Sequence, residues 1–188
     1  ADNEFVAGIE LARVARSLDW FNLMAYDFHN SLTPTTGHHA GLHPSKFDPP
    51  DDRAADKAVK QYLAAGVPAS KLVLGVPFYG RAFTDVAPEH NGLQQKYGKF
   101  FGAPSWRELT ADYIGKNGYV RYWDEQAQVP YLWNAKTHTF VSYEDPQSLR
   151  IKTGFIKSRH LGGAMYWEQS LDKDSELLDV LVKGLHQP

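Results

Sequence analysis

The sequence predicts an α/β protein, a frame of parallel strands interrupted by an α+β insertion. Three observations predict it. First, three dense apolar runs, Trp20–Tyr26, Lys71–Phe78 and "GGAMYW" at 162–167, are continuous rather than alternating, the pattern of strands covered on both faces. Second, a helical segment separates the first two runs, and strand, helix, strand in that order makes a parallel pair. Third, from about residue 82 to 145 the pattern changes to short aromatic segments set off by turn residues, which reads as antiparallel hairpins.

The elements follow in order. Phe5 to Ser17 reads as a helix end, with Ile9, Ala12 and Arg13 at helical spacing. Asp19 opens the first strand. Residues 29 to 52 are rich in His, Gly and Pro and read as loop. Asp52 is placed to cap a helix from Arg53 to Ala65, whose apolar face is Ala55, Val59, Tyr62 and Leu63 and which Gly66 and Pro68 stop. The second strand, "KLVLGVPF", follows. Within the insertion, Ser105 and Glu108 form a capping box, and "YVRYW", "VPYLW" and "THTFVSY" read as strands. Asp145-Pro146 restarts helix grammar as cap and first-turn proline, for a helix ending near Gly162. After the third strand, Asp174 or Ser175 starts a last helix carrying Leu177, Leu178 and Leu181.

Composition narrows the function. Hydrophobic residues make up 43% of 188, enough for a core. A formal charge of -2 and the lack of a basic stretch speak against nucleic acid or an anionic membrane as partner. No run of 18 apolar residues is present, so no helical span is expected. The absence of cysteine excludes disulfides, thiol catalysis and zinc–thiolate sites. His29, His38, His39 and His43 fall close together, but without metal-ligand spacing; loop packing or substrate contact is expected of them, and no metal or cofactor. Ala1 is not an initiator Met, so the chain is expected to be cut or processed from something longer.

The three frame strands end alike. The first ends in Tyr26-Asp27, the second in Tyr79-Gly80-Arg81, the third in Trp167-Glu168. In parallel α/β proteins the site lies at the carboxyl ends of the strands. A phenol, a carboxylate, a guanidinium and an indole at neighbouring ends suit a sugar, which offers flat apolar faces ringed by hydroxyls.

These residues carry a resemblance. "LDWFNLMAYDFH", with Met24, Tyr26 and Asp27, resembles the sixth barrel strand of the family 18 glycoside hydrolases, the chitinases. "KLVLGVPFYGRAF" resembles their seventh strand, "LGGAMYWEQSLD" their eighth, and "YWDEQAQVPYLWNAKTHTFVSYED" their insertion domain. The resemblance implies part of a TIM (β/α)8 barrel, strands six to eight, at 1–81 and 146–188, with the chitinase insertion domain at 82–145. It implies retaining hydrolysis of β-1,4-linked N-acetylglucosamine in chitin or chito-oligosaccharides, the substrate's own N-acetyl oxygen serving as nucleophile. Tyr26 and Asp27 would be the catalytic pair, Tyr26 holding the acetamido group and Asp27, with Arg81, bonding hydroxyls. Met24 would fill the barrel beneath the site, Tyr79 would support its rim, and Trp167 would stack under the sugar. It further implies a secreted protein of the bacterial branch.

Two departures stand out. The family's Asp-x-x-Asp-x-Asp-x-Glu motif, whose Glu is the general acid, does not occur in these residues. The expectation is therefore a carboxyl-terminal half whose missing amino-terminal half completes the barrel, inactive alone. The alternative is a non-catalytic chitin-binding protein of the same fold. Asn30 and Leu32 stand where the family has Gly and an aromatic, which removes one stacking contact.

Overall fold

The computed structural model describes residues 6–186. A helical turn, α1 (Leu11–Val14), precedes strand β1 (Phe21–Leu23). Helix α2 (Ala55–Ala64) leads to β2 (Leu72–Pro77). Then come β3 (Arg81–Thr84), β4 (Lys99–Gly102), the short helix α3 (Trp106–Glu108), β5 (Val120–Asp124), β6 (Val129–Asn134) and β7 (Thr139–Ser142). Helix α4 (Pro146–Ser158), β8 (Gly163–Trp167) and α5 (Glu176–His186) complete the order.

Two sheets result. β1, β2 and β8 form a parallel sheet with β2 central, Leu23 opposite Leu74 and Pro77 opposite Trp167. The other five strands form an antiparallel sheet in the order β4-β3-β7-β6-β5. A shared core ties them: Val76 and Phe78 from the end of β2 pack with Leu132, Val141, Trp106, Leu149 and Leu177. A second core lies between β1, β2 and α2, with Leu23, Leu74, Val59 and Tyr62 in one buried cluster. The architecture is α/β.

Several elements differ from their sequence expectation, each for a local reason. The expected helix from Phe5 to Ser17 is interrupted at residues 8–10, with Val6 and Ala7 helical before the break and α1 after it; Phe5 itself lies outside the described residues. The first strand pairs only over Phe21–Leu23, because the Ala25 amide turns back to the Leu23 carbonyl at 2.8 Å and lifts the chain off its neighbour. Asp52 does not cap α2. Its carboxylate accepts from His29, Gln94 and the Arg53 amide, and the first amides of α2, Ala55 and Asp56, donate instead to the carbonyls of Gly41 and Leu42. Arg81 does not end the second strand but begins β3, paired with Ser142. Helix α4 stops at Ser158, after which the Gly162 amide pairs with Leu72 to enter β8. The two capping signals at Ser105 and Asp145 form complete boxes, with Glu108 and Ser148.

Candidate active site

The carboxyl ends of β1, β2 and β8 surround one cleft of about 390 Å³. Met24, Tyr26, Asp27, Tyr79, Arg81 and Trp167 line it, with Ala103 and Leu171. All six residues singled out in the sequence thus share one space.

Each arrives by a distinct device. Beyond β1 the chain rises to Tyr26 and then turns at Asp27, whose φ is +61°. Tyr26 crosses over β2 at Gly75: a Cβ built there would meet the Tyr26 ring at 3.0 Å and the Leu23 carbonyl at 2.7 Å. Glycine is required by that close approach. Tyr79 follows β2 and meets Tyr26 edge-to-face at 6.3 Å. Arg81 comes from the first position of β3. Trp167 ends β8, its carbonyl accepting from the Phe78 amide at 2.7 Å, and the Trp167–Glu168 peptide is cis. Met24 and Trp167 are 64% and 55% exposed, so their apolar surfaces face open cleft rather than packed protein.

Asp27 is the electrostatic centre. Arg81 grips it with Nε on Oδ1 at 2.8 Å and its terminal nitrogen on Oδ2 at 2.6 Å, the two-pronged geometry that arginine favours. The Tyr79 hydroxyl donates to Oδ1 at 3.0 Å. Burial alone would raise the Asp27 pKa, but the proximity of His39 and the ion pair with Arg81 outweigh it and hold the carboxyl well below the usual range. Burial, and then the Asp27 charge, raise the pKa of Tyr26. The same two causes raise Tyr79 far above the ordinary phenol. Both phenols therefore remain hydrogen-bond donors at neutral pH. Asp27 remains an anion and has no proton to give.

One neighbour escaped the reading of the site from sequence. His39, wholly buried, lies with Nδ1 3.6 Å from Asp27 Oδ1 and its ring 5.5 Å from that of Tyr79. The tripeptide Gly37-His38-His39 was the one signal, and nothing local tells which imidazole meets Asp27. The other three meet carboxylates elsewhere: His29 with Asp52, His38 with Asp124, His43 with Asp56. No group of three or more metal-ligating side chains occurs among the described residues.

One wall of the cleft is apolar, an indole face with Met24 and Leu171. The other offers a phenol and a guanidinium held by a carboxylate. Such an arrangement binds a ring with flat faces and a polar rim. Fold and cleft together define an α/β protein with an aromatic and charged cleft at its strand ends. The chain belongs to the glycosyl hydrolases family 18, whose sequence profile matches residues 1–172. It is 42% identical over 201 residues to chitinase A1 of Niallia circulans, covering 98% of this chain and 28% of that protein. It is 37% identical to chitotriosidase-1 of Mus musculus, covering 88% and 36%. A family 18 N-acetylglucosaminidase from Paenibacillus barengoltzii superimposes with a TM-score of 0.93 at 41% identity, over 98% of this chain and 54% of that one. A group IV chitinase of Ostrinia furnacalis, solved with allosamidin, superimposes at 0.83 with 27% identity, over 94% and 52%. The chain spans 28% of chitinase A1 of Niallia circulans and 44% of chitinase B of Serratia marcescens.

Proposed function

We propose that this chain is the carboxyl-terminal half of the catalytic barrel of a chitinase, a secreted glycoside hydrolase that cleaves β-1,4-linked N-acetylglucosamine with retention. The parallel sheet of β1, β2 and β8 is strands six to eight of a (β/α)8 barrel. The antiparallel sheet, which begins at Arg81 and ends at Ser142, belongs to the insertion domain. The observation that carries the reading is the cleft: a phenol, an arginine-bound carboxylate and a half-exposed indole at three adjacent strand ends. The partner is the amino-terminal half of the barrel. Trp20, exposed beside β1 and outside the cleft, supports this as an apolar surface that a further barrel strand would cover.

In the mechanism proposed, Trp167 stacks under the sugar at the scissile bond. The Tyr26 hydroxyl donates to the acetamido oxygen and holds it against the anomeric carbon, where it attacks and forms a cyclic oxazolinium. Asp27 stabilises the positive charge that develops and orients Tyr79 and Arg81 against substrate hydroxyls. Met24 packs beneath the ring. The proton for the leaving oxygen comes from a general acid outside this chain, because Asp27, the carboxylate lining the cleft among the described residues, is tied up as an anion by Arg81. That commitment also favours the second reading, a protein that binds chito-oligosaccharides without cleaving them.

The test is hydrolysis of a fluorogenic chitobioside by the full-length protein, with Tyr26→Phe and Trp167→Ala beside it. Chitinase-level turnover is expected, lowered about 10²-fold by Tyr26→Phe and shifted to about tenfold weaker substrate binding by Trp167→Ala. The 188-residue chain alone should turn over at least about 10²-fold more slowly, for want of the acid. Binding without turnover in the full-length protein would favour the second reading. Neither binding nor turnover would sink both.

A further inference from the structure

His39 is held from three sides before its ring does anything. Its amide donates to the Ser142 hydroxyl at 2.9 Å, and Ser142 is the residue paired with Arg81 between β3 and β7. Its carbonyl accepts at 3.1 Å from the amide of Phe28, the residue after Asp27. The next carbonyl, that of Ala40, accepts from Lys152 of α4. Lys152 is itself paired with Glu144, and both side chains are buried. The backbone at His39 therefore pins the end of β1 to the antiparallel sheet and to α4.

The ring that this scaffold presents has no completed hydrogen bond. Neither Nδ1 nor Nε2 has a partner among the described residues, although the side chain is wholly buried. An unpaired N–H in the interior is costly and uncommon. The nearest acceptor is Asp27 Oδ1, 3.6 Å from Nδ1, beyond hydrogen-bond length but closed by a shift of about half an ångström. Hydrogen bonds in ligand-free sites are often long and tighten when substrate engages.

We propose that His39 is a positioning residue of the cleft: a neutral imidazole that donates Nδ1–H to Asp27 Oδ1 when a sugar engages, locking the carboxylate against Tyr79 and Arg81. Oδ1 then collects Tyr79, the Arg81 Nε and His39. Oδ2 carries one donor, the terminal nitrogen of Arg81, and keeps capacity for an N–H or O–H of the substrate. Burial lowers the pKa of His39 to about 4, against the opposing pull of Asp27 and with Arg81 and Lys152 adding to the lowering. A neutral ring at working pH is what the role requires, because a neutral imidazole with Nδ1 protonated donates from that nitrogen. The proposal rests on the chitinase reading above.

Two isosteric probes separate this role from packing. The Nδ2 of asparagine falls where histidine has Nδ1, and the Nε2 of glutamine falls near histidine Nε2. His39→Asn and His39→Gln therefore each bury one amide but restore different donors. In the full-length protein on a fluorogenic chitobioside, His39→Asn should keep kcat within about threefold of wild type. His39→Gln should lower kcat by about tenfold or more, the effect of losing a hydrogen bond to a charged group. Nitrogen NMR of histidine-labelled protein should show His39 protonated at Nδ1, its proton moving downfield on addition of chitotriose. Equal kcat for the two variants, or rescue by glutamine, would overturn the proposal. So would an Nε2-protonated ring in the sugar complex. If the wild-type protein neither cleaves nor binds the sugar, it is the chitinase reading that fails, and the role given to His39 in sugar binding falls with it; sugar handling by wild type without the asparagine–glutamine difference removes His39 alone.

Discussion

Replacing Lys152 by Met tests how the floor beneath the cleft is held. The side chains of Lys152 and Glu144 are 1% and 0% exposed. Lys152 donates to Glu144 and to the Ala40 carbonyl, and the second Glu144 oxygen accepts from Ser148. Met fills nearly the same volume, so the perturbation is electrostatic rather than a cavity. Two hydrogen bonds from a charged donor contribute about 1.5–3 kcal/mol each, and removing one partner of a buried pair costs about 3–5 kcal/mol. These describe the same loss, so about 4 kcal/mol is expected near pH 8, a large share of a stability of about 5–15 kcal/mol. Burial already pushes the Glu144 carboxyl above its ordinary value of 4.5, with Lys152 opposing; without Lys152 it rises further. An acid whose pKa is raised on folding loses stability as pH climbs from its unfolded value through its folded one. The deficit of the variant should therefore shrink at pH 5. Urea unfolding followed by tryptophan fluorescence measures it at both pH values, with Lys152→Met/Glu144→Leu as the control that removes both charges. A deficit below about 1 kcal/mol, or one that is the same at pH 5 and 8, would show that the buried pair does not hold this floor. So would a double variant less stable than the single.

Two further outcomes follow from the cleft. Asp27 has a folded pKa held below its ordinary 3.8, so its contribution is complete above that value and is lost as pH falls beneath it; the melting temperature of wild type should drop more steeply below about pH 4 than that of Asp27→Asn, and parallel curves would contradict the ion pair with Arg81. Gly75→Ala should destabilise by about 1–3 kcal/mol, as overpacking does, and should lower kcat as well, because the new methyl displaces the Tyr26 ring; a stable variant of unchanged kcat would show that Tyr26 does not depend on that contact.

The parts legible from sequence were those written in local grammar. Continuous apolar runs marked β1, β2 and β8, and the Ser105–Glu108 and Asp145-Pro146 signals marked helix starts that formed as complete caps. The hairpin pattern of 119–143 gave β5, β6 and β7, while β4, four residues ending in a glycine, was too short to register. Errors arose where a tertiary partner outbid a local one. Asp52 looked like a cap, but the fold brings His29 and Gln94 to it. Arg81 looked like a strand terminus, yet the chain bends at Phe78 and runs close against β7 at Gly80, whose Cβ position lies 2.8 Å from the Ser142 carbonyl, so that Arg81 enters the next sheet. The cleft residues could be named because they stand at strand ends. His39 could not, since its place depends on Phe28, Ser142 and Lys152, residues spread over most of the chain.

The most direct test of the central claim is the crystal structure of the full-length protein with a bound chito-oligosaccharide. A sugar ring should stack on Trp167, with its acetamido oxygen within hydrogen-bond reach of the Tyr26 hydroxyl and Asp27 still gripped by Arg81. A chito-oligosaccharide bound only elsewhere, with Trp167 and Tyr26 untouched, would contradict it.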